Sequence, residues 1–245
     1  ECSPTLRNLT FSGNYASSGG AIYNAGSNGT ASPLISHATF TGNVSGGGSG
    51  GAIYNSVSGG GSGSPTIAQS TFSGNRAGYR GGAIYNEGAL QPLITFSTFY
   101  GNTANNQAGA IASTSNVQAT ITASVFSLNT AVGVAKQILD EGSGTKTYDG
   151  NLVQGVGCGV GVYVPNGTCS GILLTGDPLL GALQDNGGPT WTMLPGASSP
   201  VLGAATCTTG DTDQRGVTRP PGSCTSGAVE RQFDPPGFPA SISTT

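Results

Sequence analysis

The chain has 245 residues, 43 of them glycine and 14 proline, with only 8% charged side chains and a formal net charge of -3. That charge leaves no basic footprint for nucleic acid, and no run of about 18 apolar residues offers a membrane span. Glycine and proline at this density would point to disorder if they lacked a period; here they have one.

The chain opens at Glu1-Cys-Ser-Pro-Thr-Leu6, already inside a repeat, since Ser3-Pro4 matches Ser32-Pro33 and Ser64-Pro65. Neither an initiator Met nor a basic-plus-apolar leader stands at Glu1, so the sequence reads as already processed. An uncapped solenoid turn presents open strand edges and an apolar cross-section. The expectation is therefore that a second copy covers this end, giving head-to-tail extension into a filament or sheath. Removal of an upstream part of a longer surface adhesin is the alternative.

Five segments then recur: Thr10-Phe-Ser-Gly-Asn14, Thr39-Phe-Thr-Gly-Asn43, Thr71-Phe-Ser-Gly-Asn75, Thr98-Phe-Tyr-Gly-Asn102 and Val125-Phe-Ser-Leu-Asn129, spaced by 29, 32, 27 and 27 residues. Between them lie Gly19-Gly-Ala-Ile-Tyr-Asn24, its copies ending at Asn55 and Asn86, and a decayed Ala108-Gly-Ala-Ile-Ala-Ser113. Each unit is too short to bury a core alone, and its apolar residues alternate with period two rather than at helical spacing. Stacked as parallel strands about 4.8 Å apart, the units place every residue over its equivalent. The fold class that follows is all-β, a right-handed single-stranded parallel β-helix. Residues 1–143 form the repeat turns; residues 144–245 form the last turns and a loop-rich closing segment of the same domain.

The expected inward columns are Phe11, Phe40, Phe72, Phe99 and Phe126, then Leu6, Ile35, Ile67, Ile94 and Ile121, then Ile22, Ile53, Ile84 and Ile111. Asn14, Asn43, Asn75, Asn102 and Asn129 should form an amide ladder where a strand ends. Glycines before each Ala-Ile-Tyr supply the corner, including positive φ. Outward, Tyr23, Tyr54 and Tyr85 form a strip for a carbohydrate or protein contact, or merely shield one another. The outward pairs Thr10/Ser12, Thr39/Thr41, Thr71/Ser73 and Thr98/Tyr100 resemble the threonine arrays of β-solenoid ice-binding proteins, although threonine is favoured in any exposed strand. The one helical candidate is a short turn near Val134 to Leu139.

Of the five cysteines, Cys158–Cys169 and Cys207–Cys224 have the spacing of local disulfides in an oxidising compartment, which points to export. Cys2 is left over, free or bridged to another subunit. CxxC and Cys/His metal spacings are absent. Asp177, Asp185, Asp211 and Asp213 sit among turn residues and match no calcium-loop signature; Ca²⁺ binding there is the minor reading. No cofactor is expected. The sequons at Asn8, Asn28, Asn43 and Asn166 are not taken as glycosylated.

The Gly-Gly-Ala-Ile and Phe-x-x-Asn marks resemble the repeats of the polymorphic outer membrane proteins. Asp177-Pro-Leu-Leu-Gly-Ala-Leu-Gln-Asp-Asn-Gly-Gly-Pro-Thr190, Leu194 to Leu202 and Asp213-Gln-Arg-Gly-Val-Thr-Arg-Pro220 through Glu230 resemble the choice-of-anchor Q domain. Both resemblances imply an exported bacterial β-helix at the cell surface and carry no catalytic motif. Parallel β-helices include polysaccharide lyases and hydrolases, but those chemistries need clustered acids. Residues 1–130 hold only Glu1 and Glu87 as acids. Arg80 and Glu87 are expected to pair on the surface, and Asp213 with Arg215 and Arg219 with Glu230 to tie the closing segment together. The sole histidine, His37, shares a column with Asn8, Gln69, Phe96 and Ala123, a variety expected of a solvent-facing or loop position. The reading is a non-enzymatic extracellular structural protein, a filament subunit whose partner is itself, with an adhesin that contacts surface glycans or proteins as the alternative.

Overall fold

A computed structural model describes residues 3–114, 116–133, 137–141, 147–155, 158–160 and 172–232, with backbone alone for 158–160 and 172–174. The chain is an all-β parallel solenoid of about five turns, and each full turn contributes four strands. In the second turn these are Leu34–Ser36, Thr39–Thr41, Val44–Ser45 and Ile53–Ser58. Stacked turn upon turn, they form an isoleucine sheet, a phenylalanine sheet, a short sheet and a tyrosine sheet of six, seven, five and six strands among the described residues. The only antiparallel strand pair described is Ala205–Cys207 with Gly222–Cys224 in the C-terminal region.

Register follows from the repeat. Phe72 pairs with Phe40 on one side and Phe99 on the other, Ile67 with Ile35 and Ile94, and Ile84 with Ile53 and Ile111. Phe11, Phe40, Phe72, Phe99 and Phe126 stack at centroid separations of 4.7, 4.7, 4.8 and 4.7 Å with rings within 5° of parallel. The inter-strand spacing fixes that distance, so the stack is face to face rather than edge to face. Tyr148 extends the isoleucine column beyond Ile121, and its hydroxyl donates to Asp140 Oδ2 at 2.9 Å, which satisfies a phenol inside the core.

Corners need backbone that L-residues avoid. Gly19, Gly50 and Gly81 have φ of +59°, +66° and +64°, and the decayed repeat holds Ala108 at +54° in the same place. The glycine that follows is fixed for a different reason. A Cβ on Gly51 would lie 2.0 Å from the carbonyl oxygen of Gly82, because adjacent turns approach there through backbone alone.

One sequence expectation changes. The helical turn near Val134 to Leu139 is not formed where the chain is described: Ile138–Asp140 is a strand paired with Ile111–Ser113, while residues 134–136 lie outside the described residues. Ile138 continues the isoleucine column of the tyrosine sheet, and burial in that column outweighs local preference. Among the described residues, the closing segment folds back along the flank of the phenylalanine sheet, with Thr190 and Gln214 reaching the second turn at His37, Ala38 and Thr39.

Phe72→Ala is expected to destabilise the fold by about 3–5 kcal/mol, because the cavity lies between two rings that cannot close over it. Asn75→Ala should cost about 3 kcal/mol or more through orphaned buried donors and acceptors. Thr103→Ala, on the outer surface of the short sheet, should stay within about 0.5 kcal/mol. Chemical denaturation of the three variants checks the ranking.

Candidate functional site

Asn14, Asn43, Asn75, Asn102 and Asn129 form a continuous amide ladder, exposed at Asn14 and buried from Asn43 onward. Each Nδ2 donates to the Oδ1 of the next turn at 2.8, 2.9, 2.8 and 2.8 Å, and Asn129 donates to Gln137 Oε1 at 2.7 Å. The second Nδ2 hydrogen of Asn43, Asn75, Asn102 and Asn129 goes to the carbonyl of Phe11, Phe40, Phe72 and Phe99, each at 3.0 Å. The backbone N–H of Asn43 also donates to Asn75 Oδ1 at 3.0 Å, so one side chain ties the backbone of two turns. A second ladder was not anticipated: Asn24 to Asn55, Asn55 to Asn86, and Asn86 to Ser113 at 3.3, 2.9 and 3.4 Å. The invariant final Asn of each Gly-Gly-Ala-Ile-Tyr-Asn was the signal for it. The serines before Thr71, Thr98 and Val125 make a third, in which the N–H of Ser70 and Ser97 donates to Ser97 and Ser124 Oγ. All three columns are consumed by the scaffold.

The threonine grid is covered in part: Thr10 and Ser12 stay exposed, and Thr41, Ser73 and Tyr100 are half-buried. Thr39, Thr71 and Thr98 are buried beneath the returning C-terminal strap. Thr39 Oγ1 donates to the Trp191 carbonyl at 2.6 Å, Thr71 Oγ1 donates to Gln214 Oε1 at 2.7 Å, and Thr98 Oγ1 accepts from Ala228 N at 3.0 Å. Farther along the same outward column Val125 and Leu152 pack against Val201. That drift from threonine to valine and leucine at an outward position was the sequence sign of a cover.

His37 is likewise under the strap rather than in solvent. Asn8, His37, Gln69, Phe96 and Ala123 all have positive φ, +40° to +58°, so their column is a left-handed corner where side-chain type is loosely constrained. The His37 carbonyl accepts from Thr190 Oγ1 at 3.1 Å, while both ring nitrogens are buried without partners. Burial chiefly, then the charge of Arg7, holds its pKa below 6.5; Asp213 opposes the shift and Arg219 adds to it.

The strap is pinned by the charges expected to hold it. Arg219, fully buried, lies 4.5 Å over the Phe96 ring and donates to the carbonyls of Thr225 and Gly227 and to Glu230 Oε2 at 2.6, 2.7 and 3.1 Å. Asp213 takes Arg215 Nε and Nη2 at 2.9 and 2.8 Å and the N–H groups of Arg215, Val217 and Glu230. Five donors on one carboxylate leave it little capacity for a cation. Asp177, Asp185 and Asp211 accept from the N–H of Leu179, Gly187 and Thr208 at 2.9, 2.9 and 2.7 Å, closing their own turns. Among the described residues, no three His, Cys, Asp or Glu converge as a metal site. Cys207 and Cys224 are joined in the strap hairpin, packed near Ala123 and Phe96. Cys2 and Cys169 lie outside the described residues, as does the side chain of Cys158, so neither the Cys158–Cys169 bridge nor an intersubunit bond at Cys2 has a structural account.

On the tyrosine sheet, Tyr23 and Tyr54 stack at 4.9 Å and 10°, while Tyr54 and Tyr85 tilt by 44°. The strip closes along its length: Tyr23 is 58% exposed and Tyr85 only 8%, with Leu139 and Ala112 beyond. Glu87 does not pair with Arg80 as expected. It accepts from the Tyr54 hydroxyl, whose pKa is raised by burial and then by that carboxylate, while Arg80 pairs with Glu141 at 3.1 Å. Parallel stacking explains the exchange, because Glu87 falls in the turn after Tyr54 and Arg80 reaches two turns on.

Residues 8–25, 37–56 and 69–87 match the Chlamydia polymorphic membrane protein repeat, each stretch running from the left-handed corner through Phe-x-x-Asn to the tyrosine sheet. No curated protein and no solved structure matches the chain. No helix of the described residues is long and apolar enough to cross a membrane.

Because the folded pKa of His37 is depressed, the native state binds fewer protons than the unfolded chain, and its stability should fall as pH drops through 6.5. His37→Phe should flatten the thermal-melt dependence between about pH 7 and pH 5. Arg219→Met leaves Glu230 buried without its cation and should cost about 3–5 kcal/mol. Limited proteolysis is expected to cut the strap first while the far-ultraviolet β signal of the turns persists.

Proposed function

We propose that the chain is a non-catalytic structural protein of an exported surface, a subunit that lengthens along its solenoid axis by stacking on another copy. The repeat matched in the Chlamydia polymorphic membrane protein family supports a surface location, and the Cys207–Cys224 bridge supports passage through an oxidising compartment. The sequence segments that resemble the choice-of-anchor Q domain lie in the C-terminal strap. The carrying observation is the self-complementary repeat: Ile35, Phe40 and Ile53 each pair in register with their own equivalents in the turns on either side, so the face one turn offers the next is a face that a turn of a second copy would match.

A non-enzymatic role is supported by how the charges are used. Arg215, Arg219, Asp213 and Glu230 are engaged in holding the strap, and Arg231 donates to the Pro195 carbonyl at 2.7 Å. Fold analogy to polysaccharide-active β-helices supplies no site. The adhesin reading draws on one feature, the open edge of the tyrosine strip at Tyr23, which suits a glycan or protein contact.

Electron microscopy and sedimentation of the purified chain test the first reading. End-to-end particles that lengthen with concentration are expected, and Phe11→Lys should shorten them to single solenoids. Particles one solenoid long at every concentration overturn axial stacking. Glycan-array binding lost in Tyr23→Ala would favour the adhesin instead.

A further inference from the structure

The outer face of the isoleucine sheet is a broad face that the strap leaves open. Its first outward column runs Thr5, Leu34, Thr66, Leu93, Thr120, Thr147, with Leu34 and Leu93 exposed at 40% and 38%. The second begins at Arg7, passes only serine, alanine and threonine, and ends at Asp149. Thus the four middle strands carry no charge on this face, and the first and last of the six described strands carry one charge each, of opposite sign. Arg7 and Asp149 are both exposed, and neither has an ion-pair partner among the described residues.

We propose that this face pairs with the same face of a second copy, the two solenoids lying side by side and antiparallel. A two-fold axis along the strand direction keeps each column opposite itself and reverses the order of the turns. Arg7 of each copy then meets Asp149 of the other, about 24 Å along the axis after five steps of about 4.8 Å. Leu34 faces Thr120, and Leu93 faces Thr66, so each exposed leucine gains a threonine methyl and no two leucines compete for one position. A parallel pairing would set Arg7 against Arg7 and Asp149 against Asp149, and like-charge repulsion selects against it. The contact is isologous and closes at two copies. Its area, a single sheet face, places it with weak, reversible interfaces. It is independent of axial stacking, which uses the end of the solenoid and not its flank.

Sedimentation equilibrium and small-angle scattering on the full chain test it. The expected result is a concentration-dependent dimer whose maximum dimension stays close to that of the monomer. Leu93→Lys should weaken it by about tenfold or more by placing two like charges near the centre of the interface. Arg7→Glu and Asp149→Lys should each weaken it several-fold, and the two together should restore it, since the swapped charges again face their opposites. All three positions are exposed, and a thermal melt of each variant checks that the fold is kept. A monomer at the highest attainable concentration, a dimer untouched by Leu93→Lys, or a double reversal no better than its parents would overturn the proposal. Growth of the maximum dimension by whole solenoid lengths, with no side-by-side species, would overturn it while supporting axial stacking.

Discussion

A side chain buried in this solenoid has its own equivalent as its nearest axial neighbour, and that constraint organises the molecule. Aromatic and aliphatic residues meet it by stacking. An asparagine meets it more fully, because a primary amide both donates to and accepts from a copy of itself one strand away. Asn75 accepts from two nitrogens of Asn43, donates to Asn102 and donates to the Phe40 carbonyl. A slip of one residue would bring an outward side chain into that column and leave several buried polar groups without partners. The ladder therefore fixes register where the hydrophobic columns alone would tolerate sliding, and the Phe stack and corner glycines depend on the register it sets.

Polar ladders also account for the small fraction of charge. Backbone hydrogen bonds run between turns and most polar side chains in the turns are spent on the adjacent turn, so the scaffold needs few ions. The ions that exist concentrate in the strap, where Arg219, Asp213, Arg215 and Glu230 replace periodic stacking with a unique network. This division bears on the proposed role. A periodic body presents faces and ends suited to contact with other molecules or copies, and the irregular strap decides which face remains available.

The residues that sequence reasoning placed correctly are those whose environment repeats. Phe-x-x-Asn and Gly-Gly-Ala-Ile-Tyr-Asn prescribed parallel turns, their register and the inward columns, because identical neighbours leave little else to determine. The second Asn ladder was equally present in the letters, but its Asn lies mid-strand and gave no turn to mark it. The burial of His37, Thr39, Thr71 and Thr98 and the partner of Glu87 escaped the sequence for a common reason. Each depends on a residue far along the chain: Thr190 and Gln214 over the second turn, and the Tyr54 hydroxyl one turn below Glu87.

What the sequence determined by itself was thus the solenoid: parallel strands, their order and the side chains that fill the bore. Periodicity turns that part into a local problem, in which each turn needs only the turn beside it. What only the tertiary structure decided was the path of residues 177–232 and hence which flank is covered, since no repeat relates the strap to the turns it crosses. Hydroxyl pairings such as Thr71 with Gln214 span 143 residues, and no spacing rule within a 27- to 32-residue period foretells them.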